Sequence, residues 1–393
     1  MNYFLIVGRA NVTGAGFTLS NKQNSYAIDG NGTFSQKLSL IDSQTQTYSD
    51  KLGYKYFLGA RKSSGRTQFG IGHQVSNSSI YTSDLGYQSI PNVVNTNFYI
   101  QRFLFKPYKI FRDANSTLSS NYATNFVTKQ RTNFELNFNL YATLMSYNGI
   151  SGGGGITPIS SLDYNEPRIP GRYAKTLRFF YAYIGFNSDP RKAVAFDINQ
   201  TMSNFLDHFK TEGYNTDVGI RYRASDKLNM KYNFSFYYDP FNFGFADIDS
   251  ANNVIYGGRK LYTYINRLSI NYIFKNDMTL SLIGRHYWNT GEYLKYFTIQ
   301  DDGSYAENYS YKSNNNFSYN AFNVDVVYAW RFAPGSQFSL VYKNNIETEE
   351  TLQNSKFGDN FTHTINAPQT NSLSLKVLYY LDYLYLRKKS GNA

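Results

Sequence analysis

Over residues 132–144 the chain alternates without a break. Phe134, Leu136, Phe138, Leu140, Ala142 and Leu144 take one parity, and Asn133, Glu135, Asn137, Asn139, Tyr141 and Thr143 the other. Successive side chains of a β-strand point to opposite faces, so this rhythm predicts a strand apolar on one side and polar on the other. It returns over 228–238 and 322–332. Applied along the chain, the same rule predicts about seventeen strands. They fall near 3–13, 25–38, 54–60, 68–76, 97–106, 114–126, 132–144, 150–156 and 177–186. Others follow near 193–202, 214–223, 228–238, 262–274, 278–288, 319–332, 337–345 and 372–385.

The connections sort into two kinds. Tight turns are predicted at 62–66, 187–191, 224–227, 275–277 and 333–335, and long polar stretches at 77–95, 160–171, 240–260, 289–316 and 347–370. Short turns at one rim and long loops at the other are the signature of a transmembrane barrel, with the short turns in the periplasm. The expected fold is therefore all-β: a transmembrane antiparallel up-and-down β-barrel of about 16–18 strands in a bacterial outer membrane. Such a barrel is wide enough for a channel or a plug. The run of Gly152, Gly153, Gly154 and Gly155, and the 289–316 stretch, are where a plug is expected.

Composition sharpens this picture. The chain has 393 residues, 38 Tyr, 31 Phe and no Cys, with a mean hydropathy of −0.48. It contains no run of about 18 apolar residues, so no helix of its sequence is a membrane span. Aromatics at 18% suit the girdles of an outer-membrane barrel better than a packed sandwich core. The net charge of +11 fits an acidic partner such as lipopolysaccharide. Nucleic acid is not expected, because the basic residues are scattered among strands rather than gathered on one face. Residues 3–7 form a short apolar cluster without the flanks of a signal peptide. Counting strand directions back from the last, residues 1–393 read as one barrel domain that lacks an upstream strand.

Several short motifs carry a resemblance. Asp84, Leu85, Gly86 and Tyr87, then Phe105, Lys106 and Pro107, then the run from Glu166 through Pro167, Arg168, Ile169, Pro170, Gly171 and Arg172 to Tyr173, and the ending from Lys376 to Asp382 are the residues concerned. Together they resemble the barrel region of a Bacteroidota family of uncharacterised outer-membrane proteins. Members carry, ahead of the barrel, a domain similar to family 9 carbohydrate-binding modules. The resemblance implies an N-terminal periplasmic domain beyond this chain, to which any glycan binding or hydrolysis would belong. It supplies no catalytic residues.

The barrel itself reads as no enzyme. His73 has Ser76 three positions on, which pleating places on the opposite face. His286 shares the outward face of Leu280 and Leu282 and reads as a girdle residue, while His208 and His363 fall in outer loops. None has the spacing of a metal or nucleophile site, and Asp247 and Asp249 lack the next ligand of a calcium loop. No catalytic residue, metal or cofactor is expected.

The polar faces are more informative. Arg221, Lys231, Arg267, Arg285, Asp325 and Lys343 are the lumen-facing candidates. Simple pairing about the tight turns sets Arg221 opposite Lys231, Arg267 opposite Arg285, and Asp325 opposite Lys343 as a cross-strand ion pair. Asp217 is a candidate to relieve the like charges. The function expected is a pore or transport element for small polar solutes or glycans. The alternative is a non-conducting anchor for a carbohydrate-binding domain or for envelope partners. Expected partners are outer-membrane lipid and lipopolysaccharide, envelope proteins and a glycan.

Overall fold

The computed structural model describes residues 8–42, 47–82, 91–207, 212–351, 356–381 and 383. The first eight strands are β1 (Gly8–Ser20), β2 (Tyr26–Asp42), β3 (Thr47–Lys62), β4 (Thr67–Ser76), β5 (Val93–Leu104), β6 (Phe111–Asn125), β7 (Arg131–Leu144) and β8 (Gly149–Thr157). A two-stranded ribbon follows, β9 (Leu162–Asp163) with β10 (Ala174–Lys175). The main sheet resumes with β11 (Phe179–Asn187), β12 (Val194–Phe205), β13 (Gly213–Arg223), β14 (Leu228–Ile248), β15 (Val254–Lys275) and β16 (Met278–Ile299). The short β17 (Tyr305–Glu307), β18 (Phe317–Ala333), β19 (Ser336–Glu350), helix α1 (Phe357–Ile365) and β20 (Gln369–Leu378) complete it.

Each long strand pairs antiparallel with the next, β8 passing directly to β11 and β16 to β18. This is the expected up-and-down meander. Among the described residues no pairing joins β1 to β20, so the ring is not closed by hydrogen bonds between these two edge strands.

The turns at one rim are all short: 21–25, 63–66, 105–110, 145–148, 188–193, 224–227, 276–277 and 334–335. The long connections 77–92, 158–178, 300–316 and 351–368 share the other rim.

Register carries the apolar parity from strand to strand. Ile100 pairs with Leu118, Leu118 with Phe138, Ile220 with Tyr232, and Tyr232 with Leu268. Outside the patch beneath α1 this face is uncovered: Leu58, Ile71, Leu118, Phe138, Ile184, Ile220, Leu373 and Leu375 are all exposed. Burying one such side chain is worth about 1.5–3 kcal/mol, so leaving the whole belt in water would cost on the order of tens of kcal/mol. Soluble monomers expose patches of only a few hundred Å². A hydrocarbon solvent removes the conflict.

The expected boundaries fail at the long-loop rim. β14, β15 and β16 run some ten residues past the predicted ends, so 240–260 is largely strand and 289–316 is strand over about half its length. Asp239 and Pro240 read as a strand terminator, but the sheet absorbs them in a register shift between Asp239 and Asn242. A bulge is a place where proline is tolerated in a sheet. Likewise 351–368 is not all loop. Phe357, Phe361 and Thr364, spaced four and three apart, line one side of α1.

Candidate functional site

On the face opposite the belt, all three expected pairings hold. Arg221 stands opposite Lys231, Arg267 opposite Arg285, and Asp325 opposite Lys343. The side chains then redistribute. Arg285 sends Nη1 diagonally to Asp325 Oδ2 at 2.6 Å and to Asn323 Oδ1 at 3.1 Å. Asp325 therefore balances Arg285 and not Lys343, which corrects the expected ion pair: a diagonal neighbour lies within reach of a long side chain. Arg221 donates to the carbonyl of Pro190 in the 188–193 turn. Asp217 accepts from Ser235 Oγ at 2.5 Å and forms no ion pair with either cation. Among the described residues Lys231, Arg267 and Lys343 have no ion-pair partner. Three cations without an ion pair, on the adjacent strands β14 and β15 and on β19, are the main electrostatic feature of the polar face.

Among the described residues no plug rests on the glycine strand. Gly153 and Gly155 of β8 pair with Tyr183 and Tyr181 on one side and with Asn139 and Asn137 on the other. Tyr183 Oη donates to Asn139 Oδ1 at 2.7 Å and Tyr181 Oη to Asn137 Oδ1 at 2.8 Å. The tyrosines lie over the glycines and fill the room that missing side chains leave.

What packs at the long-loop rim is the 158–178 connection. It arises between β8 and β11 and docks on the extensions of β14–β17. Asp163 Oδ1 accepts from the backbone N–H groups of Asn165 and Glu166, which sets the turn. Glu166 Oε1 then accepts from the Phe245 N–H at 2.8 Å, and the Arg168 guanidinium lies 4.2 Å from the centre of the Phe245 ring. Arg172 bonds Asp301 at 2.6 Å and the Ile299 carbonyl at 3.0 Å, and Lys175 bonds Asp302 at 2.9 Å. Beneath these contacts lies a buried cluster of Ala174, Phe241, Val254, Tyr256, Phe297 and Ile299. Burial pushes the Tyr305 hydroxyl up, and it donates to the Lys175 carbonyl at 2.5 Å. The Ser304 hydroxyl, with Lys175, holds the Asp302 carboxyl well below the usual carboxylate range.

The run from Glu166 to Tyr173 is thus a clasp across one rim, a role its sequence did not disclose. Between the clasp and the ends of β5–β7 lies an open hollow of about 700 Å³, lined by Asn92, Asn125, Thr128, Tyr164, Asn165 and Thr176 among others. Amides, hydroxyls and the Asp163 carboxyl share it about equally with apolar groups, and it holds one aromatic ring.

The histidines are dispersed. His73 Nδ1 meets Thr96 Oγ1 at 2.9 Å, His363 on α1 lies 3.7 Å from Glu350, and His286 is buried beneath α1 rather than free in a girdle. His208 lies outside the described residues, as do Asp84, Leu85, Gly86, Tyr87 and Asp382. Among the described residues no three His, Cys, Asp or Glu side chains gather as metal ligands. Asp249 caps the β14–β15 turn through the Ala251 and Asn253 N–H groups.

The family described as Domain of unknown function (DUF5916) matches residues 7–390. No curated protein matches the chain. Among solved structures, the siderophore receptor PirA from Acinetobacter baumannii aligns over 94% of this chain and 71% of its own, at 8% identity and a TM-score of 0.48. At that score the likeness adds nothing to the strand register above.

Proposed function

The chain belongs to the family described as Domain of unknown function (DUF5916), whose description assigns no activity, and we propose that it is an outer-membrane β-barrel that passes small polar solutes or glycans through a polar lumen. The observation that carries this reading is the division of one sheet into two faces. One exposes an apolar belt fit for lipid; the other bears Lys231, Arg267 and Lys343, which form no ion pair among the described residues. Cations left unpaired on a wall need water and mobile anions, which a hydrated lumen supplies. The hollow beside the clasp offers hydroxyl and amide partners at the entrance, chemistry suited to a sugar-like solute. The clasp gates that entrance. No step of bond chemistry enters this mechanism.

Liposome swelling tests it. Vesicles holding the protein should swell in neutral sugars at rates that fall with sugar size. Absence of swelling at every size would sink the transport reading and leave a second one, a non-conducting anchor for a carbohydrate-binding domain or for envelope partners. The clasp favours that alternative, since it gives the rim a preformed, cross-braced surface on which a partner could dock.

A further inference from the structure

Helix α1 lies on the apolar face of the sheet. Phe357 packs on Tyr264 and Trp288, with ring centres 5.6 and 6.0 Å apart, and Phe361 packs on His286 and Phe322 at 5.1 and 5.9 Å. Asn360 and Asn320 pair through both amides at 2.6 and 3.1 Å and pin the helix down. Between helix and sheet runs an apolar groove of about 410 Å³, with Leu268, Leu282 and Val324 on its floor and Phe357 and Phe361 as its wall. It is open along the side and continuous with the exposed belt, on which Leu268 is 40% exposed.

Its polar lining is Tyr232, Asn266, Arg285 and His286; the Tyr232 hydroxyl donates to Asn266 Oδ1 and Arg285 to Asp325, while Asn266 Nδ2 and His286 keep unused capacity. His286 is only 3% exposed, and neither ring nitrogen meets a partner within hydrogen-bond geometry. Its polar neighbour Asn320 is already engaged with Asn360. An imidazole whose nearest polar group, the Asn320 amide, is shared with Asn360 is under-satisfied, and a ligand carrying one oxygen would improve its hydrogen bonding. Depth identifies the ligand. His286 is the ninth residue of β16 counted from Met278 at the short-turn rim, and a strand crosses the hydrocarbon in about 9–11 residues. His286 therefore lies at the outer interface, where a lipid's ester groups begin and its acyl chains point inward.

We propose that this groove binds one ester-linked acyl chain of an outer-leaflet lipid, with the His286 N–H donating to its ester carbonyl; a phospholipid serves as the probe for that shared chemistry. The proposal rests on the membrane reading above. α1 acts as the retaining wall, so the lipid is held rather than exchanged with the annulus.

Native mass spectrometry of the whole chain, transferred from phosphatidylethanolamine bilayers into detergent, tests the site. The wild-type protein should keep one phospholipid after annular lipid is stripped. A Cβ at Gly284 meets nothing within 4 Å, and Gly284 lines the groove. Gly284→Leu should therefore fill the groove without disturbing the fold and abolish the adduct. His286→Phe, which keeps the groove but removes the donor, should weaken retention. Equal retention by wild type and Gly284→Leu, or no lipid on the wild type, would overturn the proposal. The chain has two tryptophans, so Trp288→Phe leaves Trp330 as sole reporter on the belt. If brominated phospholipid fails to quench Trp330, the membrane reading itself fails, and not merely the groove.

Discussion

Tyr183 and Asn139 are hydrogen-bonded at 2.7 Å although a whole strand lies between them, because the residue under the contact is Gly153. A Cβ at Gly153 would stand 2.3 Å from the Phe138 carbonyl oxygen and 2.9 Å from the Tyr183 ring. Gly153→Val should then force the sheet apart and cost about 1–3 kcal/mol. Tyr183→Phe, which removes one hydrogen bond, should cost about 1 kcal/mol. Urea unfolding in detergent micelles ranks the two. If Tyr183→Phe is the more damaging, the tyrosine holds more than this bridge.

The belt makes a second prediction. Phe234 faces the same side as Tyr232 and Phe236 and pairs with Val218 and Asn266. Arg at this position should destabilise the inserted protein by about 2–4 kcal/mol if it lies near the midplane. Cysteine labelling should find Lys231 open to aqueous reagents and Phe234 closed to them. Equal labelling of both would refute a lipid-facing belt.

How much of this was legible from the residues follows from what each feature depends on. A period of two states which face a residue takes, and a turn centre states its partner, so both like-charge pairs, Arg221 with Lys231 and Arg267 with Arg285, were readable before any coordinates. The choice of Arg285 by Asp325 was not, because a diagonal contact depends on side-chain reach and not on register. The clasp was hidden for a different reason. Arg172 and Asp301 are 129 residues apart, and no local pattern in either segment announces the other. α1 was hidden by its length, since nine residues with two phenylalanines carry too weak a period to stand out in a polar loop.

The clasp separates two kinds of contact by magnitude. Phe297 is 4% exposed within the cluster, and Phe297→Ala should cost about 3–5 kcal/mol. Arg172→Ala removes contacts that are largely in water, and such pairs are worth about 0–1 kcal/mol. Arg172→Ala should accordingly leave the fold intact while exposing 158–178 to protease and speeding sugar-driven swelling. Unchanged swelling in Arg172→Ala would mean that the clasp does not gate the entrance.

Acid should act on the same segment in one direction. The Asp302 carboxyl is held below its ordinary range by Ser304 and Lys175. A depressed folded value contributes stability above the unfolded pKa of about 3.9 and loses it as the pH falls through the folded one. Protease resistance of the clasp should therefore hold from neutral pH down to about 4 and decline only below that. Asp302→Asn should lower the resistance at neutral pH and flatten the acid decline. A loss centred near pH 6 would point to a histidine and away from Asp302.

Ion selectivity is the sharpest consequence of the polar wall. Arg285 is neutralised by Asp325 at 2.6 Å, whereas Lys231, Arg267 and Lys343 on β14, β15 and β19 form no ion pair among the described residues. Like charges so placed repel and persist only if water and passing anions screen them. An open lumen should then conduct chloride in preference to potassium, and the preference should fade at high salt as screening shortens. Lys231→Glu with Arg267→Glu should reverse the preference. Arg285→Glu should do something else, because it sets a second carboxylate against Asp325: it should destabilise the β16–β18 seam more than it alters selectivity. Reversal potentials across a planar bilayer in a potassium chloride gradient distinguish these cases. Cation preference in the unmodified protein would remove these three side chains from the conduction path. An Arg285→Glu effect on selectivity as large as that of Arg267→Glu would show that the ion pair with Asp325 does not form in the membrane.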